Sequence, residues 1–211
     1  MKNHQSAPHQ AFTFIELLIV IAALALLAVM ILPARADIKN ITGLSATTVS
    51  SLVEELIASG LIVESGVKDV ATSGRKAILL TVNQGGGFFA GVEVSTSHVL
   101  LTVYDLKFNP VTEKTEEYKN SSITDIIISL IKGCGLAEKL LGVTVGIPAI
   151  VDKESGHILS STVVDIERDC NLFETLGTAF PDIRIALHNN SSLNAYAEKE
   201  FGNLNVQNLI T

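Results

Sequence analysis

The sequence predicts an α/β protein in three successive parts, and three patterns of hydrophobicity predict it. An uncharged apolar run comes first, a short helix–turn–helix with a β-hairpin follows, and the remainder alternates strands with amphipathic helices. The boundaries fall at 1–36, 37–83 and 84–211. Of the 211 residues 47% are hydrophobic and 18% charged, with a mean hydropathy of +0.41, which excludes a disordered or low-complexity chain. Lys and Arg number 15 against 22 Asp and Glu, a net charge of −7. A general polyanion binder is thereby excluded, so any nucleic-acid contact has to come from a local patch. Cys134 and Cys170 lie far apart without CxxC spacing. That excludes a disulfide-dense scaffold and a four-ligand zinc site and leaves two buried thiols. No metal site, cofactor or catalytic residue is expected.

From Leu17 to Ala34 the chain carries no charge, reading LLIVIAALALLAVMILPA. As a helix this run rises about 27 Å, close to one hydrocarbon thickness. A helix apolar all round lies in a membrane or deep inside a protein, and residues 12–34 are expected to form a membrane helix. A secretory signal peptide is the rival reading, with Pro33-Ala34-Arg35-Ala36 as a faint cleavage site, although the apolar core is long for one. Ala11-Phe12-Thr13-Phe14-Ile15-Glu16 before the run resembles the cleavage and methylation signal of type IV prepilins. The resemblance implies cleavage between Ala11 and Phe12, with Glu16 as the fifth residue of the mature chain. The family usually has Gly before the cut, where this chain has Ala11. An intramembrane carboxylate is costly and usually functional; the alternative is a Glu16 that snorkels to the interface.

After Arg35 the composition changes. Asp37 to Thr42 is expected to form a short helix with Ile38 and Ile41 inward, broken by Gly43 at a tight turn. Ser45 is a good N-cap, and Val49, Leu52, Val53, Leu56 and Ile57 recur at helical spacing over 46–58. Gly60 supplies the C′ position. Leu61–Glu64 and Ala77–Val82 then read as two strands around a polar loop holding Ser73-Gly74-Arg75-Lys76. This order describes a winged helix-turn-helix, whose second helix enters the major groove. Its DNA-facing residues are Ser45, Thr47, Thr48, Ser50 and Ser51 beside Ala46, with Arg75 and Lys76 at the wing for phosphate. None of these forms the bidentate Arg–guanine contact. Residues 37–82 hold four basic side chains (Lys39, Lys68, Arg75, Lys76) and five acidic ones (Asp37, Glu54, Glu55, Glu64, Asp69). Few counterions would be released, so weak affinity for an operator is expected. The alternative is a winged helix retained for packing or dimerisation.

Farther on, Gly91–Val94 and Val99–Val103 alternate as strands, Asn109-Pro110 marks a turn, and Val111–Tyr118 reads as a polar edge strand. Ile123, Ile126, Ile127, Leu130 and Ile131 form an amphipathic helix. A buried strand at Gly142–Ile147, a helix near 171–179, a strand at Ile183–Leu187 and a helix over 191–201 follow. Three strands and then alternating helix and strand make a mixed sheet flanked by helices. The order resembles one lobe of the actin-like, ribonuclease-H-like fold.

Five blocks in sequence carry a second resemblance: TGLSATTVSSLVEELIASGLIVESG at 42–66, SGRKAILLTVN at 73–83, GVEVSTSHVLLTVYDL at 91–106, GIPAIVD at 146–152 with GHILSS at 156–161, and HNNSSLNAYAEKEFG at 188–202. From about Pro33 to Gly202 the chain resembles the ROK family of sugar-responsive repressors and sugar kinases. The resemblance implies a DNA-binding winged helix, a sugar effector, and Gly146, Pro148, Asn189 and Asn190 on the sugar side of a cleft.

Departures from that family remove the kinase. The Asp–Gly–Gly–Thr-like turn that cradles ATP phosphates in ROK kinases reads Glu93-Val94-Ser95-Thr96-Ser97 here, without glycines. Asn190 stands where the kinases have the catalytic Asp, and an amide cannot take a proton from a sugar hydroxyl. His188 replaces the Glu of that motif, and Thr162-Val163-Val164 lacks a sugar-contacting Asn. The family's zinc cluster and second lobe would fall beyond Thr211, so a single lobe and a homodimer over the uncovered surface are expected.

The first functional expectation is a ROK-like repressor without kinase activity, anchored through residues 12–34 in the inner membrane with its winged helix and ROK-like portion cytoplasmic. In ROK repressors another helix usually precedes the segment at Arg35; here the apolar run stands in its place. The alternative is a pilin-like or pseudopilin-like membrane component carrying a degenerate ROK domain, and a third is a degraded fusion. Lys2 on one side against Arg35 and Lys39 on the other gives a small charge bias toward a cytoplasmic C-terminal part.

Overall fold

The computed structural model describes residues 33–68, 77–118, 121–152, 155–165 and 169–201. Ala11, Phe12, Glu16 and most of the expected membrane helix, and with them Arg75 and Lys76, lie outside the described residues. Among the described residues no helix is long and apolar enough to cross a membrane. The chain divides into two compact units, one ending at Asn83 and the other beginning at Gln84.

In the first unit, Ala34 bridges Leu79 in antiparallel sense, and the Leu80 amide donates to the Pro33 carbonyl at 3.0 Å. Helix α1, Arg35–Thr42, starts where the Ala34 amide donates to Asp37 Oδ2 at 2.9 Å. It stops at Gly43, whose φ of 70° is left-handed. That conformation suits glycine, which has no Cβ to clash with the backbone. Helix α2, Ala46–Ala58, is capped by Ser45, whose side chain accepts the Thr48 amide. It ends in a Schellman pair, with the Gly60 amide donating to Ile57 O and the Leu61 amide to Leu56 O. Strands β1, Ile62–Lys68, and β2, Ala77–Val82, pair antiparallel with a bulge between Glu64 and Val67. Ile38, Val49, Val53, Leu56, Ile62, Leu80 and Val82 form the core. Ile41 does not join it: the residue expected to face inward is 48% exposed. Three residues on from Ile38, it lies about 60° round the helix, on the side that faces solvent.

The second unit is built on a five-stranded mixed sheet. Strands β3 (Phe88–Val94), β4 (His98–Asp105) and β5 (Pro110–Glu117) run as an antiparallel meander. Helix α3, Ile123–Gly133, then leads to β6, Leu140–Ile147, which lies parallel to β3. A two-stranded hairpin, β7 Ile150–Val151 and β8 Ile158–Ser160, precedes helix α4, Leu172–Ala179. Strand β9, Arg184–Asn189, adds parallel to β6 and passes directly into helix α5, Asn190–Phe201. The register puts Ala90, Val103, Val143 and Ile185 in one cross-sheet row, and Val92, Leu101, Val145 and Leu187 in the next. These inward rows share one buried cluster with Ile126, Ile127, Leu130 and Ile131 of α3 and Leu172 and Leu176 of α4. Strand β5 is polar and almost wholly exposed, as an edge strand guarded by charge tends to be.

Two buried aspartates fix what hydrophobic pattern leaves open. Asp169 accepts from the Thr124 amide at 3.1 Å, the Thr124 hydroxyl at 2.8 Å and the Ile123 amide at 3.4 Å, so it satisfies two of the free N-terminal amides of α3 from far along the chain, while Ser122 Oγ accepts the Asp125 amide. Asp105 closes the β4–β5 turn. It accepts from the Lys107 and Asn109 amides at 2.8 and 2.9 Å, from Asn109 Nδ2 at 3.0 Å and from Gln84 Nε2 at 2.6 Å. This net holds Phe108 at a φ of 60°, with its ring stacked on Phe89 at 6.5 Å.

Burial raises the Asp105 pKa, and the hydrogen bonds from Asn109, Gln84 and Lys107 outweigh it and bring it from 3.8 down to about 2. A depressed folded-state pKa stabilises the fold above the unfolded value, and the contribution fades as pH falls through the folded one. Asp105→Asn is therefore expected to lower the melting temperature at pH 7, with the gap from wild type narrowing from about pH 4 and closing near pH 2. Thermal unfolding followed by circular dichroism across that range checks it, and a gap independent of pH would refute it.

Candidate functional site

The three parallel strands β3, β6 and β9 end side by side, and in open α/β sheets the carboxyl edge is where ligands bind. All four residues expected on the sugar side of the cleft lie at this edge. Gly146 is opposite Glu93 on β3 and His188 on β9. A Cβ there would stand 2.6 Å from Asn190 Oδ1 and 3.0 Å from Leu193 Cδ1. Glycine therefore leaves room over β6 for the Asn190 and Leu193 side chains of α5. The Asn190 Nδ2 donates to the Val94 carbonyl at 3.0 Å, which ties the start of α5 to the end of β3.

Asn189 is committed as well. Its Nδ2 donates to the Ala149 carbonyl at 2.6 Å, and its Oδ1 accepts the Ser191 and Ser192 amides at 2.8 and 3.3 Å, capping α5. The Pro148 carbonyl accepts from the Ser161 hydroxyl at 2.8 Å. Ser161 Oγ in turn accepts the Val163 and Val164 amides at 3.0 and 2.9 Å. Ser161 was not among the expected site residues. Its signal was the Ser160-Ser161 pair beside the Gly-x-Pro segment, which spacing alone does not mark as a turn anchor. His188 is exposed at the same edge. No cluster of three or more His, Cys, Asp or Glu able to hold a metal occurs among the described residues.

The β3–β4 turn, Ser95-Thr96-Ser97, is closed by its own side chains. Ser95 Oγ accepts the Ser97 and His98 amides at 3.3 and 3.1 Å and donates to the His98 carbonyl at 2.9 Å. The Tyr118 hydroxyl donates to the Ser95 carbonyl at 2.6 Å. Burial pushes that hydroxyl's pKa up to about 12, with the Asp169 carboxylate adding to the rise, so it remains a donor throughout the neutral range. Two of the turn's amides thus already have an internal acceptor, whereas a phosphate cradle presents free amides to its ligand.

In the first unit, α2 displays Ala46, Thr47, Thr48 and Ser51 to solvent, with Ser50 half-buried. The Ser45 and Thr48 hydroxyls bond each other at 2.8 Å, so Ser45 serves the helix cap. Arg35 pairs with Glu64 through one carboxylate oxygen at 3.3 Å, and an ion pair this exposed adds little stability.

The sequence profile of the ROK family matches residues 89–211. The chain is 28% identical over 177 residues to a putative xylose repressor of Caldicellulosiruptor sp. (strain Rt8B.4), covering 80% of this chain and 44% of that protein. It is 26% identical over 176 residues to the xylose repressor of Bacillus subtilis (strain 168), covering 80% and 45%. A solved ROK family transcriptional regulator, a homolog of the E. coli MLC protein, superposes with a TM-score of 0.61 at 20% identity, covering 80% of this chain and 44% of that one. At that identity the match shows a shared fold, and the mixed α/β arrangement is the part shared. The chain spans a little under half the length of these relatives.

The contact at Gly146 is testable by substitution. Gly146→Ala is expected to destabilise the protein by about 1–3 kcal/mol through overpacking against Asn190 and Leu193. Part of that loss should return in Gly146→Ala/Asn190→Ala, giving a non-additive cycle in urea unfolding. Strict additivity would show that the two residues do not press on one another.

Proposed function

The chain belongs to the ROK family, and on that premise we propose that it is a transcriptional repressor: a winged helix-turn-helix over residues 37–83 binds operator DNA, and the lobe over 84–211 responds to a sugar without phosphorylating it. One observation carries this reading. The similarity to named xylose repressors runs over 80% of the chain, more than the second unit can supply alone, so it includes at least α2 and the β1–β2 hairpin of the first. Two features weigh against phosphoryl transfer: the Ser97 and His98 amides of the β3–β4 turn have an internal acceptor, and Asn190 is an amide that clasps Val94 and has no basic site. Gly146, Pro148, Asn189 and Asn190 would form the floor of the effector site, and a homodimer would present two α2 helices to the half-sites of a palindromic operator.

DNA contact should be light and salt-sensitive. The full chain is expected to bind duplex DNA weakly, and Arg75→Ala/Lys76→Ala should reduce the slope of log affinity against log salt by up to about 2, roughly 0.9 per phosphate contact. Fluorescence anisotropy over about 50–200 mM salt reads both quantities. The absence of duplex binding at the lowest salt would overturn the repressor reading.

Residues 12–34 would tether this regulator to the inner membrane with both units in the cytoplasm, and the Ala11–Phe12 junction with Glu16 would be the prepilin-like processing signal. The relatives reported above are named repressors or regulators, which supports the regulator over a pilin-like component. A dual alkaline phosphatase and β-galactosidase reporter fused after Thr211 tests the topology. The expected outcome is β-galactosidase activity; phosphatase activity would put the DNA-binding surface outside the cell and end the repressor reading for the tethered chain.

A further inference from the structure

Resting on the proposed DNA-binding role, we infer that α2 discriminates sequence through the C5-methyl groups of pyrimidines, thymine first among them, with Ala46, Thr47 and Thr48 as the discriminating residues. Major-groove readout has a short vocabulary: Arg or Lys to guanine, Asn or Gln to adenine, acidic groups to cytosine, and apolar contact with the thymine methyl. The exposed part of the first two turns of α2 holds Ala46, Thr47, Thr48 and Ser51, with Ser50 half-buried. None of these is a cation, an amide or an acid. Glu54 and Glu55 are the charged side chains of α2, and both lie exposed farther along the helix. Two carboxylates there repel phosphates, so the helix has to approach DNA with its N-terminal end.

The capping geometry then sorts hydroxyls from methyls. Thr48 Oγ1 is 2.8 Å from Ser45 Oγ, and Ser45 Oγ accepts the Thr48 amide at 3.1 Å. The Thr48 hydroxyl is thus turned back into the cap. On a tetrahedral Cβ with a restricted rotamer, its methyl has to take a different direction. The Ala46, Thr47 and Thr48 methyls therefore stand at successive steps of about 100° round the exposed first turn, so no two of them can read the same base. The hydroxyls of Thr47 and Ser51 can bond any base or a phosphate, so they add affinity without choosing a sequence.

The test starts from a pool of random-sequence duplexes selected on the full chain. The enriched duplex is resynthesised with uracil replacing one thymine at a time, which removes a methyl and leaves every hydrogen-bonding edge and phosphate intact. The expected result is about a three- to fivefold loss of affinity at one to three thymines, the factor for one buried methyl. Thr47→Ser and Thr48→Ser should each abolish the loss at one position, and Thr48→Ser retains the capping hydroxyl. Restoration by 5-methylcytosine at the same position of a cytosine-substituted duplex would show that the methyl, whichever base carries it, is what is read. Enrichment with uracil tolerated everywhere would overturn this inference and leave the repressor reading intact. Failure to enrich any sequence would remove the repressor reading and this inference with it.

Discussion

The missing side chain at position 146 governs the carboxyl edge of the sheet. Strand β9 runs straight into α5 with no loop between Asn189 and Asn190, so the helix has to start directly above the neighbouring strand β6. A Cβ at 146 would meet Asn190 Oδ1, the end of a side chain that also reaches Val94, so glycine leaves that clasp undisturbed. From this close passage follow the Asn190 clasp on Val94, the Asn189 link to Ala149 and the capping of α5 by Asn189 Oδ1. Three parallel strands are thereby locked at the end where an α/β protein places its ligand.

That lock bears on what the edge can do. In a sugar kinase an acid at the first residue of this helix would need its oxygens free to take a proton. Here the amide donates to a main-chain carbonyl of β3, holding strand to helix. The adjacent β3–β4 turn takes the same course, since Ser95 supplies the acceptor that a nucleotide phosphate would otherwise supply. At both places the polar group is held in an internal hydrogen bond. A lobe built in this way keeps its fold, and it has no group positioned for proton abstraction at Asn190.

Much of the architecture was legible because it is local. Alternation in β3 and β4, the 3–4 spacing of isoleucines in α3, and the Ser45, Gly43 and Gly60 signals around α2 each arise within a few residues, and the elements stand where those signals put them. The four expected cleft residues do meet at one edge, although the sequence did not show that their polar atoms bond to the protein's own backbone. Asp169 was not legible at all: its role is to cap α3 from 45 residues away in sequence, and no periodicity marks such a partner. Asp105 was equally silent, being one acid at a strand end until Gln84 and Asn109 converge on it. Ile41 shows the opposite failure. Its spacing from Ile38 is helical, but burial depends on how wide a face the neighbouring elements can cover.

The first unit raises a question of energy as well as of readout. With five acidic side chains against four basic over residues 37–82, a single copy cannot draw much affinity from phosphate neutralisation. A surface of methyls and hydroxyls adds a few short-range contacts, each small. Under the proposed repressor function, useful occupancy of an operator would have to come from multiplicity, since joining two weak modules turns the second contact into an intramolecular step with a high effective concentration. A membrane tether would act on the same term by confining copies to a surface and raising their local density near one another. Such an arrangement favours a regulator whose DNA contact is easily reversed, because loss of one of the two contacts forfeits most of the combined affinity. An effector bound at the carboxyl edge of the sheet would then need only a modest bias on pairing to release the operator.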